Sequence, residues 1–150
     1  MKTLQIYGTI SLINIGFEGM FMIDTSLMTK EERKAFERSY LGRTVSIGID
    51  RPIGYIHRKG AKVLHYPINY GYIPDVLGGD GEEMDVYLLG VSEPVEQFTC
   101  KIIAIVHRED DVEDKLVGAP EGLSFTAEQI ADSIEFQEKY YTTKLELYNE

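Results

Sequence analysis

The sequence predicts an α+β domain of mainly β character. We expect a small barrel or curled sheet of about five or six strands, closed by a C-terminal helix and preceded by a short N-terminal helix. Three observations carry this. Apolar runs rich in β-branched residues recur from residue 43 onward, with turn residues between them. Helix-start chemistry stands near each end of the chain and not between. Strands and helices do not alternate through the middle, which argues against an alternating α/β sheet.

The first helix is expected in "TKEERKAFERSYLG", where Thr29 and Glu32 form a capping-box pattern and Gly42 marks the stop. Its charge run reads as a solvated face. "RTVSIGID" alternates as a strand does, and "RPIGYIHRKGAKVLHYP" carries the punctuation of a tight turn followed by a second strand. "INYGYIPDVLGGDGEEM" reads as a loop. "DVYLLGV" and "FTCKIIAIVHR" are strands separated by a turn at Pro94, and "DKLVGAP" is a further short strand. In "SFTAEQIADSIEFQEKYY", Thr126 is the N-cap, Gln129 completes a capping box, and Ile130, Ile134 and Tyr141 share helical spacing.

At 150 residues the chain is long enough for one domain with one core. The division expected is an N-terminal extension with its short helix over residues 1–40 and a barrel domain over 41–150. "LQIYGTISLINIGFEGMFMI" is fairly apolar but is broken by glycines and Glu18, so it makes a poor spanning helix. A net charge of -10 opposes general electrostatic binding to nucleic acid or to anionic membranes. An anionic ligand would need a local basic site or bound cations. The lone Cys100 sits in an apolar strand and reads as a small core residue; with no secretory signature, this favours a reducing, cytoplasmic location.

The informative stretch is "LHYPINYGYIPDVLGGDGEEMDVYLLGVSEP", where Asp80, Glu82, Glu83 and Asp85 crowd around Gly81. Carboxylates this close repel one another unless a positive charge sits among them. A second acidic run, "REDDVEDK" from Arg108 to Lys115, fills another loop between apolar strands. In a small barrel two such loops can converge, and converging hard oxygens suit magnesium or manganese. An isolated acidic turn is ordinarily no more than a hydrophilic loop. Here Tyr66, Tyr70, Tyr72, Arg58 and Lys115 stand close by, and these are donors to phosphate oxygens. The spacing does not fit an EF-hand, a Walker loop is absent, and His57, His65 and His107 lack metal-ligand spacing.

Over roughly Thr44 to Tyr141 the chain resembles the soluble, family I inorganic pyrophosphatases. The likeness rests on "YPINYGY" followed by "DGEEMDV", which is similar to the signature Asp-Gly-Asp-Pro-x-Asp-hydrophobic. "EDKLVGAP", "FQEKYY" and Asp50 before "RP" extend it. The resemblance implies an OB-like closed barrel of five strands or so and metal-dependent hydrolysis of pyrophosphate by a metal-activated water, with Mg2+ or Mn2+ as cofactor. It also implies a homo-oligomer. Asp80 and Asp85 would hold metal with Glu113 or Asp114, while Asp110 or Asp111, and Asp50, would hold metals that arrive with substrate. Glu82 would orient and deprotonate the attacking water. Arg58, Lys115 and Tyr140 would hold phosphate oxygens, and Tyr66 and Tyr70 would shape the pocket; Arg58 and Lys115 would also stabilise the leaving phosphate.

The chain departs from the family pattern at several points. Glu82 stands where the signature has aspartate, Glu83 where it has proline, and Tyr141 where a lysine is usual. Gly54 and Ile56 lie nearest the places of an expected lysine and glutamate, in a shortened hairpin. Two further readings therefore accompany pyrophosphate hydrolysis. One is hydrolysis of another phosphoanhydride or a phosphate ester; the other is a non-catalytic module that binds metal or phosphate.

Overall fold

The computed structural model describes residues 11–14, as backbone, and 21–149. The chain runs through β1 (Ser11–Asn14), β2 (Phe21–Asp24), a 3-10 turn (Thr25–Leu27) and α1 (Lys30–Arg38). Then come β3 (Thr44–Arg51), β4 (Ile56–Lys59), β5 (Lys62–His65), β6 (Asn69–Leu77), β7 (Glu83–Leu88), β8 (Gln97–Arg108) and β9 (Lys115–Ala119). It ends with α2 (Ala127–Glu138) and β10 (Thr143–Leu147).

Strands β6, β3, β8, β9 and β7 pair in that order, and β7 returns to β6, so the sheet closes into a ring of five. All contacts around the ring are antiparallel except β7 with β9. This is the small, OB-like barrel expected from sequence. The long β8 serves three neighbours: residues 97–101 pair with β3, 101–106 with β9 and 104–108 with β10. Its register shift between Ile102 and Ala104 changes which side chains face inward. Cys100, Ile102 and Ile105 therefore join one core cluster, and Ala104 and Val106 join another.

The first cluster fills the barrel with Ile47, Val86, Leu88 and Leu116, and α1 and its flanks contribute Met28, Phe36 and Tyr40. The second packs α2 through Ile130 and Ile134, both essentially buried, against Tyr66, Tyr70, Tyr87 and Val117. Each such isoleucine stabilises the docking by roughly 1.5–3 kcal/mol. Both helices start with the capping boxes expected, Thr29 with Glu32 and Thr126 with Gln129. Cys100 is the core residue expected: its Sγ lies where a Cβ on Gly118 would go, and burial pushes its thiol up to about 12.

Several local expectations need correction. The stretch expected as a loop from Ile68 holds β6, and Pro74 survives there because the β6–β7 register breaks between Tyr72 and Leu77, with Asp75 in a left-handed conformation. Gly71 is required in this strand, since a Cβ would land on the Gly48 carbonyl where β3 and β6 approach each other. "RPIGYIHRKGAKVLHYP" forms two strands, β4 and β5, joined tightly at Gly60 and Ala61. Strand β10 follows α2 without having been expected, and Tyr141 lies beyond the end of that helix. Helix α1 is not only a solvated face, because Phe36 and Glu37 are buried. The expectation for the start of the chain falls largely on residues 1–10 and 15–20, which lie outside the described residues; β2, just after them, pairs with β6.

Candidate active site

A cleft of about 400 Å³ opens where the barrel mouth meets the β4–β5 hairpin and the end of α2. One wall is acidic. The turn before β7 supplies Asp80 and Glu82, β7 supplies Asp85, and the segment before β9 supplies Glu113. That turn is held tightly: Glu82 N donates to Asp80 Oδ1 at 3.0 Å, Gly78 N donates to the Glu82 carbonyl at 2.7 Å, and Gly81 takes a positive φ of 80°. A second part of the lining is basic. Arg51 comes from the end of β3, His57, Lys59 and Lys62 from the hairpin, Arg108 from the end of β8 and Lys115 from the start of β9.

Lys115 links the two walls. It is 3% exposed, and its Nζ donates to Asp85 Oδ2 at 2.5 Å and to Glu113 Oε1 at 2.9 Å. Burial works against its charge, but Asp85 and Glu113 outweigh burial and hold its pKa above the ordinary lysine value. Tyr70 donates its hydroxyl to the same Asp85 oxygen at 2.7 Å, and burial followed by the Asp85 charge pushes the phenol well upward. Burial likewise lifts the Glu113 carboxyl to about 7, against the pull of Lys115 and helped by the neighbouring Asp80 carboxyl. Asp50 is raised by burial and then by Asp85; Glu83 is raised by burial, then by Asp50 and Asp85. The oxygens of Asp80, Glu82, Asp85 and Glu113 are hard donors of the kind small divalent cations take, with the Lys115 ammonium lying between Asp85 and Glu113.

Of the residues singled out in the sequence, Asp80, Glu82, Asp85, Glu113, Lys115, Tyr70 and Tyr140 line this cleft. Tyr66 lies behind it, accepting from Arg51 Nη1 at 2.5 Å and donating to Gln137 Oε1 at 2.8 Å. Arg58 does not line the cleft. It is exposed on β4, and because neighbouring strand residues point to opposite sides, His57 and Lys59 face the site in its stead. Asp50 is exposed beside the cleft. Asp110 accepts from Thr142 N at 3.1 Å, and Asp111 accepts from Arg108 Nη1 at 3.1 Å.

Asp114 turns the other way, toward α1. Its Oδ2 receives Lys34 Nζ at 2.5 Å, its Oδ1 receives the Arg108 backbone N–H at 2.9 Å, and His107 Nδ1 lies 3.4 Å away. Glu37, His107 and Asp114 bring ligand-type atoms within 4.8 Å of one another, but the Lys34 ammonium already occupies that position. Glu37 is 1% exposed and its Oε1 lacks a partner. Burial, then the adjacent Asp114, lifts its carboxyl to about 9. Above its unfolded pKa the unfolded chain loses this proton while the fold keeps it, so the residue lowers stability progressively as pH rises from about 4.5 to about 9. Glu37→Gln should therefore stabilise the fold by roughly 1–3 kcal/mol at pH 8 and by less at pH 5. Urea melts at the two pH values check this, and an equal change at both would refute it.

Sequence reasoning missed Arg51, Arg108 and Gln137. Arg51 carries no signal beyond its place after Asp50, yet its guanidinium lies 5.5 Å from the Tyr66 ring and 5.6 Å from the Tyr70 ring. Arg108 reads locally as the end of a strand. It is 2% exposed, pairs with Glu138 through Nε at 3.1 Å and Nη2 at 2.7 Å, and stacks 3.7 Å over Tyr141. A period of two along β8 offered the one available signal, since it places His107 and Arg108 on opposite sides.

The inorganic pyrophosphatase family model matches residues 45–147. The inorganic pyrophosphatase of Neisseria meningitidis is 32% identical over 106 residues, covering 56% of this chain and 59% of the relative. That of Campylobacter jejuni is 30% identical over 86 residues, covering 53% and 49%. The chain spans about half the length of the curated relatives it matches. Among solved structures, inorganic pyrophosphatase from Ehrlichia chaffeensis superposes with a TM-score of 0.56 at 15% identity, over 72% of this chain and 88% of that one. The Coxiella burnetii enzyme gives 0.54 at 18% identity, over 73% and 88%. These structures share the fold. With the family match running from β3 to β10 and including every cleft residue named above, the chain belongs to the inorganic pyrophosphatase family.

Proposed function

We propose that the chain hydrolyses inorganic pyrophosphate to two phosphates in this cleft, in a reaction that needs a divalent cation. One observation carries the reading: four carboxylates and a set of lysines and arginines line one cleft of about 400 Å³, where Lys115 is paired with Asp85 and Glu113 and Arg108 lies against Glu113. Pyrophosphate is a compact polyanion, so the basic wall fits its oxygens while the acidic wall fits the cations that accompany it. Asp80, Asp85 and Glu113 would hold Mg2+, or Mn2+ in its place, with Glu82 at the rim. When bound, the cation supplies Lewis-acid charge that lowers the pKa of water and screens the substrate.

The protein's own side chains do the rest. Glu82 is exposed at the tip of its turn and takes the proton of the attacking water on its carboxylate. Lys115 stands beside Asp85 and Glu113 and shifts its hydrogen bonds from them to a phosphate oxygen as the substrate enters. Arg51, fixed by the Tyr66 hydroxyl, and Lys59 and Lys62 from the hairpin hold the far phosphate as it leaves. Tyr70 keeps Asp85 in place, and Tyr140 closes the rim with Lys62 4.2 Å from its ring centre. The working unit is the barrel over residues 41–150, with β2 and α1 bracing it. Self-association and a reducing, cytoplasmic setting for the free Cys100 thiol accompany this reading; among the described residues no helix is long and apolar enough to cross a membrane.

The test is phosphate release from pyrophosphate with Mg2+, with Mn2+, and with chelator. Release should require the metal, and Glu82→Gln should slow it by about 10²-fold, since the amide cannot take the proton. Release that persists in chelator, or a Glu82→Gln variant as fast as the parent, would refute the reading.

A further inference from the structure

The second acidic loop already contains a cation. We propose that the buried guanidinium of Arg108 takes the place of a metal ion on that side of the cleft, so the site accepts one divalent cation, on Asp80, Asp85 and Glu113, with no second ion at Asp111. This rests on the reading of the cleft as a metal-dependent site.

The geometry supports it in three steps. Arg108 points inward from the last residue of β8 with all its donor-bearing nitrogens engaged. Nε and Nη2 hold the two Glu138 oxygens at 3.1 and 2.7 Å, and Nη1 lies 3.1 Å from Asp111 Oδ2 and 3.4 Å from Glu113 Oε1. It is fixed there: Tyr141 covers one face at 3.7 Å, and the Tyr87 hydroxyl holds Glu138 from behind. A side chain this buried and this fully bonded does not swing aside as a surface lysine would. The remaining acids of the loop are committed elsewhere. Asp110 accepts from Thr142 N, and Asp114 faces Lys34 and His107 on the far side of the strand.

A divalent ion using Asp111 and Glu113 would therefore have to sit against a fixed guanidinium, and like charges at that separation repel strongly in a desolvated site. Glu113 is left shared between Arg108 and Lys115, and it is the one carboxylate of the 109–114 loop that reaches the cleft. Arg108 thus positions Glu113 and sets the metal count.

The experiment is Mn2+ stoichiometry by equilibrium dialysis, read by electron paramagnetic resonance, on the full chain without substrate. The parent should bind one Mn2+ per chain tightly. The Arg108→Gln/Glu138→Gln double variant removes both charges of the buried pair and takes the guanidinium away from Asp111 and Glu113, so it should bind a second. Arg108→Lys keeps the charge and should stay at one. Two tight ions on the parent, or one ion on a folded double variant, would overturn the proposal; the parent measurement decides even where a variant fails to fold. Failure of the hydrolytic reading looks different: no phosphate release with one Mn2+ bound leaves this inference standing, while hydrolysis with two bound ions removes it alone.

Discussion

Asp85→Asn is expected to lower phosphate release on the order of 10³-fold while leaving the fold intact. Asp85 Oδ2 is where the two walls of the cleft meet, since it receives both the Tyr70 hydroxyl and the Lys115 ammonium. An amide in its place keeps the size and one acceptor but loses the charge that would bind the cation. It also frees Lys115 to turn fully to Glu113, which weakens the remaining ligand. The fold holds because Glu113 remains as a charged partner for the buried Lys115 ammonium and the Asp85 side chain is itself 23% exposed. Asp50 and Glu83 both carry raised pKa values that the Asp85 charge helps to sustain, so in the variant both should titrate lower. Steady-state release against Mg2+ concentration, a thermal melt and carboxyl titration by NMR check the three parts. A variant within tenfold of the parent would show that Asp85 is not a ligand.

The residues that were legible in the sequence were those whose meaning is local. Asp80, Glu82 and Asp85 fall within one tight turn and the strand that follows it, so their crowding could be seen without knowing the fold. Thr29 with Glu32 and Thr126 with Gln129 are likewise three-residue relations, and both form the boxes expected. The errors fall where the fold overrides local signals. Gly71 and Pro74 punctuate like a loop, yet Gly71 is present because β3 passes too close for a side chain, and Pro74 sits where the ladder is already broken. Arg58 is the arginine that its place on the strand before the tyrosines suggests, and strand alternation together with the placement of the hairpin puts Arg51 in the cleft instead. Among Asp110, Asp111, Glu113 and Asp114, composition gives no direction, and only the extended chain entering β9 sends Glu113 into the cleft and Asp114 toward Lys34. The Arg108–Glu138 pair spans 30 residues and joins a strand end to a helix end, so no local pattern announces it.

That pair carries the largest expected effect on stability. Glu138→Ala should cost roughly 3–5 kcal/mol, because it leaves a guanidinium buried with its bidentate partner gone. Glu138 is 5% exposed at the end of α2 and accepts from Arg108 twice and from the Tyr87 hydroxyl. Asp111 and Glu113 remain near Nη1, but they meet one edge of the fork only, and Nε and Nη2 would face the apolar side of the helix. For a chain of this length the loss corresponds to a fall in melting temperature of about 10 °C. The asymmetry of buried pairs supplies the control. Removing either charge alone is costly, whereas Arg108→Leu/Glu138→Leu removes both desolvation penalties and should recover most of the stability of the parent. A thermodynamic cycle over the two single variants and the double isolates the coupling, which should be well above 1 kcal/mol for groups in direct contact. Additive losses would show that the pair is not coupled and that Arg108 is held chiefly by its stack on Tyr141. A recovered double variant with weakened phosphate release would separate the two roles of Arg108, since the barrel tolerates the loss of this charge and the cleft does not.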